Sequence, residues 1–150
     1  MITPQYYTIV SGRGESKYKL VAFDKALLDA GIGDYNLVKV SSIIPPGCIF
    51  RETIDLSKGS ILYAAYAEKI VQEGQSGSTA VAIAIPTDSD KNGVIFEDSS
   101  DNNVENIVRD MCQEAMFNRG KSIANIKCSS IAIKGIPDKY VCGISAVVMW

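Results

Sequence analysis

The chain contains no histidine. That absence removes Ser-His-Asp and Cys-His arrangements and any imidazole-held zinc, and it takes away the side chain that most often moves protons near neutral pH. Cysteine is sparse: Cys48, Cys112, Cys128 and Cys142 form no C-x-x-C pair, so no zinc knuckle or thioredoxin-like motif is written here. Buried free thiols in a reducing compartment are the plainer account. No glycine-rich run ends in Lys-Ser or Lys-Thr, which excludes a P-loop. Neither sign of charge dominates, with 15 basic against 17 acidic residues, and no basic run is interleaved with aromatics, so nucleic acid is not an expected partner. No apolar run approaches the roughly 18–20 residues of a membrane-spanning helix. The segment MITPQYYTIV has no charged start followed by a long apolar stretch, and the expectation is a cytoplasmic chain with no membrane contact.

What is present is 150 residues, 47% of them hydrophobic, which suits a single domain over 1–150 whose core needs neither disulfide nor metal. QYYTIV, residues 5 to 10, reads as a strand, and SGRGES, residues 11 to 16, as a turn or mobile loop. FDKALLDA, residues 23 to 30, reads as a two-turn helix stopped by Gly31. Residues 36 to 42 alternate as a strand, with Leu37, Lys39 and Ser41 on one face and Asn36, Val38, Val40 and Ser42 on the other; Pro45 and Pro46 then end regular pairing.

SILYAAYAEKIV, residues 60 to 71, is ambiguous by composition but rich enough in Tyr and β-branched residues for a strand. In STAVAIAIP, Val81, Ile83 and Ile85 alternate with Ala80, Ala82 and Ala84, giving a central strand with one bulky and one small apolar face. VIFED, residues 94 to 98, is a short strand leading to SSDNN, residues 99 to 103, a polar turn rich in helix-capping types. Val104, Ile107, Val108, Met111, Cys112, Ala115 and Met116 mark the clearest helical stripe, and Gly120 suits its end. Residues 126 to 134 and 140 to 150 read as two strands of a hairpin around GIPD. The pattern predicts an α+β fold, mainly antiparallel sheet layers covered by helices.

The feature that stands out is VSSIIPP, residues 40 to 46: two serines at a strand end, then two apolar residues and two prolines. A strand end with a rigid turn would produce it with no chemistry, and Ser99-Ser100 and Ser129-Ser130 are comparable pairs. Its surroundings say more. FDKALLDAGIGDYNLVKVSSIIPP, residues 23 to 46, resembles the signature of the pyruvoyl-dependent arginine decarboxylases, and AIPTDSDKNGVIFE, residues 84 to 97, is similar to a second block of that family, in the same order.

The resemblance implies an αββα sandwich and a chain that cuts itself between Ser41 and Ser42, giving a 1–41 β chain and a 42–150 α chain. In the implied chemistry the Ser42 hydroxyl attacks the Ser41 carbonyl, the amide becomes an ester, β-elimination breaks the chain, and Ser42 becomes a covalent pyruvoyl group. Backbone strain is expected at the scissile bond. That ketone forms a Schiff base with the substrate amine and serves as the electron sink, so neither metal nor pyridoxal phosphate is called for. The substrate implied is L-arginine, yielding agmatine and CO2 in polyamine biosynthesis, and the expected assembly is a trimer of cleaved protomers.

The same resemblance assigns three further residues. Glu97 would be the proton donor, its apolar strand raising the carboxyl pKa; taken alone it reads sooner as the start of a polar loop with Asp98, and only the second block reverses this. Asn36 would assist processing, and an uninterrupted strand would put it on the face of Ser42; it could otherwise be a turn residue. Asp24 would bind the guanidinium in a bidentate contact; it could also, or instead, be an N-terminal helix residue favoured by the macrodipole. The same chemistry on another amino acid, and an uncut binding or structural oligomer, are the competing functions.

Overall fold

The computed structural model describes residues 3–150; residues 1 and 2 of the expected 1–150 domain lie outside it. The elements run β1 (Tyr6–Ser16), α1 (Lys19–Asp29), β2 (Asn36–Lys39), β3 (Ile43–Ile44), β4 (Ile49–Phe50), β5 (Ile61–Val71), β6 (Ser76–Pro86), β7 (Gly93–Ser100), α2 (Glu105–Asn118), β8 (Ile123–Lys134) and β9 (Tyr140–Met149). They form a five-stranded sheet in the order β2-β5-β9-β1-β4 and a four-stranded sheet in the order β3-β7-β6-β8. Most pairs are antiparallel; β1 with β4 and β2 with β5 are parallel. With α1 outside the first sheet and α2 outside the second, the architecture is the expected αββα sandwich.

The two-sided character of β6 explains how the layers stack. Ala80, Ala82 and Ala84 turn their small side chains to Val104, Val108, Cys112 and Met116 of the α2 layer. Val81 and Ile83 turn the other way, into the seam between sheets, where they meet Tyr7, Ile44, Ala65, Ile95, Val147 and Met149. Each fully buried Val or Ile there contributes about 1.5–3 kcal/mol relative to exposure. The seam also holds a line of hydroxyls: Thr79 Oγ1 and Ser145 Oγ lie 2.8 Å apart, Ser145 and Ser11 Oγ 2.8 Å, and Ser11 and Ser129 Oγ 2.7 Å, joining strands of both sheets. Pairing among themselves satisfies polar groups that burial would otherwise leave unbonded.

Five local expectations need correction. SGRGES is not a loop but the second half of β1, and its glycines serve α1: a Cβ on Gly12 would lie 2.4 Å from Ala26 O, and one on Gly14 2.4 Å from Lys25 Cβ. The first helix starts at Lys19, four residues before Phe23. The strand expected over 36 to 42 ends at Lys39, because the chain then leaves for the other sheet. Nor do β8 and β9 form a hairpin. The GIPD segment reverses the chain, but β8 pairs with β6 in one sheet and β9 with β5 and β1 in the other. The second helix is where the stripe placed it, and Asn103 of the polar segment stands just before its N-cap residue Val104, its Oδ1 accepting from Glu105 N at 2.8 Å. Ser99 and Ser100 extend β7 rather than joining the turn.

Candidate active site

The Ser-Ser pair sits at a joint between the two sheets. Parallel pairing of β2 with β5 runs from Asn36 opposite Ile61 to Lys39 opposite Ala64, and a last hydrogen bond passes from Val40 N to Ala64 O at 3.0 Å. Two residues later the chain belongs to the other sheet: the Ser42 carbonyl accepts from Ile95 N at 2.7 Å, and β3 pairs Ile43 with Val94 and Ile44 with Gly93. Ser41 and Ser42 therefore carry the whole crossing. A tight turn shapes it, with Ile43 N donating to Ser41 O at 3.1 Å. Ser41 is exposed and Ser42 half-buried. Neither has positive φ, so the joint is distinguished by its bonding and not by a left-handed backbone. The buried side chain of Ile44 then pins the segment into the seam before Pro45 and Pro46 end the strand.

Glu97 lies on β7 two residues beyond Ile95, opposite Val81 of β6. Val94 and Phe96 pack toward α2 and Ile95 into the seam, so strand alternation turns Glu97 to the seam side as well. Continuing the β3–β7 register would set Ser42 opposite Ile95 and Val40 opposite Glu97, which makes Ser42 and Glu97 diagonal neighbours across the edge of the four-stranded sheet. Glu97 Oε2 is buried and has no hydrogen-bond partner among the described residues. Burial pushes the carboxyl pKa above its ordinary range; the positive charge of Lys39 and the backbone N–H of Glu97 oppose this only in part. Lys39 itself ends β2, with its ammonium 4.5 Å from the centre of the Tyr66 ring. A carboxyl whose pKa is raised by burial is suited to proton donation without any imidazole.

The other two residues stand apart from this pair. Asn36 is exposed at the start of β2, the edge strand of its sheet, and its Nδ2 donates to Gly59 O at 2.8 Å. The parity argument that set it beside Ser42 fails because β2 stops at Lys39 and the chain changes sheets. Asp24 is exposed in the middle of α1, well past the first turn, so the alternative of a dipole-favoured N-terminal position is overturned. The thiols offer no competing nucleophile: all four are free, Cys112 and Cys142 are buried, and burial pushes Cys48 and Cys112 up to about 11 and Cys142 up to about 12. Sequence reasoning passed over Lys39 and the Ile95 N–H. A cation two residues before the serines was the available sign of the first; a backbone donor leaves no sign in sequence.

A family model described as pyruvoyl-dependent arginine decarboxylase matches residues 6–150. The chain belongs to that family. Relatives named pyruvoyl-dependent arginine decarboxylase include those of Methanococcus aeolicus, 36% identical over 98% of this chain and 90% of the relative, and Methanocaldococcus jannaschii, 34% identical over 98% and 90%. A third, pyruvoyl-dependent arginine decarboxylase 2 of Archaeoglobus fulgidus, is 34% identical over 98% of this chain and 97% of the relative. A pyruvoyl-dependent arginine decarboxylase needs a ketone and a proton donor, and the residues here suit both. The Ser42 carbonyl is anchored on β7, and an unpartnered, buried carboxyl oxygen waits on the same strand. Among the described residues no helix is long and apolar enough to cross a membrane.

Proposed function

We propose that this chain cuts itself between Ser41 and Ser42 and then decarboxylates L-arginine to agmatine and CO2. The supporting observation is the joint, where the two serines bridge separate sheets and position 42 is bonded to the strand that carries a carboxyl whose pKa burial raises. In the uncut chain the Ser42 Oγ attacks the Ser41 carbonyl carbon and the Ser42 nitrogen leaves, turning amide into ester. Loss of the Ser42 α-proton expels the Ser41 carboxylate; water then replaces the nitrogen, which departs as ammonia, and a ketone remains at position 42. The Ile43 N–H, already on Ser41 O, stabilises the oxyanion of the first step.

That ketone supplies covalent attachment for the substrate amine and an acceptor for the electrons released with CO2. Glu97 delivers the proton that the substrate α-carbon takes up. The positive charge of Lys39 opposes the effect of burial, moderating how far the Glu97 carboxyl is shifted. Asp24 binds the guanidinium, and Asn36 assists processing; both are exposed on elements of the five-stranded sheet and its helix, which suits pockets completed by a neighbouring copy in a trimer. The activity is placed in the cytoplasm.

Intact mass spectrometry of the purified protein tests this directly. The expected result is two pieces, 1–41 and 42–150, the second without an N-terminal amine and lighter than a serine-started fragment by one ammonia. Ser42→Ala should stay whole. A wild-type chain that remains a single species after prolonged incubation would overturn the proposal.

A further inference from the structure

We infer that the backbone N–H of Ile95 is a catalytic donor: it holds the carbonyl oxygen of position 42, the atom onto which negative charge moves during decarboxylation. The inference rests on the function proposed above and assigns to it a group that no side-chain survey would find.

The geometry is specific. Ile95 N lies 2.7 Å from Ser42 O, short for an amide–carbonyl bond, and the contact is a single rung reaching beyond the two-residue strand β3. The donor is rigidly placed. Ile95 is fully buried, its side chain lies in the seam with Ile83 and Val147, and its strand is paired on the other side to β6, with Ile83 directly opposite. A donor fixed in this way needs no reorganisation when charge develops on its partner, which is the condition under which a hydrogen bond stabilises a transition state more than a ground state.

The electron count shows why this oxygen matters. When the bond between the substrate α-carbon and its carboxylate breaks, the electron pair stays behind as CO2 leaves. Conjugation carries that pair to the carbonyl oxygen of position 42. The pair returns to the α-carbon when Glu97 gives up its proton. Ile95 N–H and Glu97 therefore act at the two ends of one conjugated path, and they are two residues apart on one strand, the Ile95 N–H pointing in the plane of the sheet toward position 42 and the Glu97 side chain turned to the seam side. That spacing couples them: whatever fixes the register of β7 fixes donor and acid together.

Two measurements test the inference. The first uses the wild-type mature protein and reads no activity: the Ile95 amide proton should exchange with solvent slowly by NMR, as an intact hydrogen bond requires. Exchange as fast as in exposed loop amides would overturn the inference. The second replaces the Ile95 amide by an ester, using the α-hydroxy analogue of isoleucine, which keeps the side chain and removes only the donor. The control is the same change at Ile49, whose N–H makes a 2.8 Å edge-strand bond to Gln5 O away from the joint. The Ile95 ester should lower kcat by about 10²-fold with KM nearly unchanged, the usual effect of losing one such donor, while the Ile49 ester stays near wild type. Equal kcat in the two folded, cleaved esters would overturn it. A wild-type protein that is uncut, or cut yet inert toward arginine, instead removes the reaction and the role with it.

Discussion

The proton-donor role proposed for Glu97 asks a carboxyl to serve in a chain without imidazole, and its surroundings favour the protonated form. One oxygen is buried and unbonded, and burial outweighs the pull of Lys39. Glu97→Gln should still yield both fragments but lose about 10²–10⁴-fold in decarboxylation rate, the range typical of a missing general acid; undiminished kcat in a cleaved variant would move the role elsewhere. The direction of the shift also sets a pH dependence. With the folded-state pKa above the unfolded one, the folded chain retains a proton that the unfolded chain has released throughout the window between them, so stability falls as pH rises through that window. Gln has no proton to lose. The Tm of Glu97→Gln minus that of wild type should therefore increase as pH rises above the ordinary glutamate pKa and level off beyond the raised one, as calorimetry across pH would show; a difference constant with pH would contradict the burial argument. At this scale the sequence spoke unevenly. Glu97 and Ser42 could be named through the resemblance of the segments that carry them to a known family, whereas the company kept by Asn36 depended on where β2 stops.

Among the elements, β1 and α1 show what pattern reading confuses. Glycine in SGRGES carries the composition of a loop, yet Gly12 and Gly14 are bare so that α1 can lie directly on the strand. Gly14→Ala would force a methyl to 2.6 Å from Ala26 N and 2.7 Å from Ala22 O, a backbone clash that only a shift of the helix can relieve. We expect a loss of about 1–3 kcal/mol, the usual cost of overpacking, read as a lower midpoint in urea unfolding; an unchanged midpoint would mean that α1 does not rest on β1 so closely. The alternation of β6 was legible because both of its faces are apolar and differ only in size, a pattern that survives burial on two sides. The fate of β8 and β9 was not. Turn chemistry is local and predicts that the chain reverses, but the choice of sheet is settled by partners distant in sequence, Ala82 for Cys128 and Val10 for Ala146 among them.

For the molecule as a whole, the proposed cut divides an intact architecture. The piece 1–41 would carry β1, α1 and β2, and β1 lies inside the five-stranded sheet between β9 and β4. The two pieces should therefore co-migrate as one particle in native size-exclusion chromatography, at the size of a trimer, and separate only in denaturant; elution of free 1–41 piece from native protein would conflict with this topology. The same arrangement would make the proposed maturation a one-way event. Each new end would stay tethered by its own hydrogen bonds to a different layer, Val40 to β5 and position 42 to β7, and the nitrogen that could rejoin them would have left as ammonia. Such a joint would behave as a ratchet, advanced once in the lifetime of each molecule.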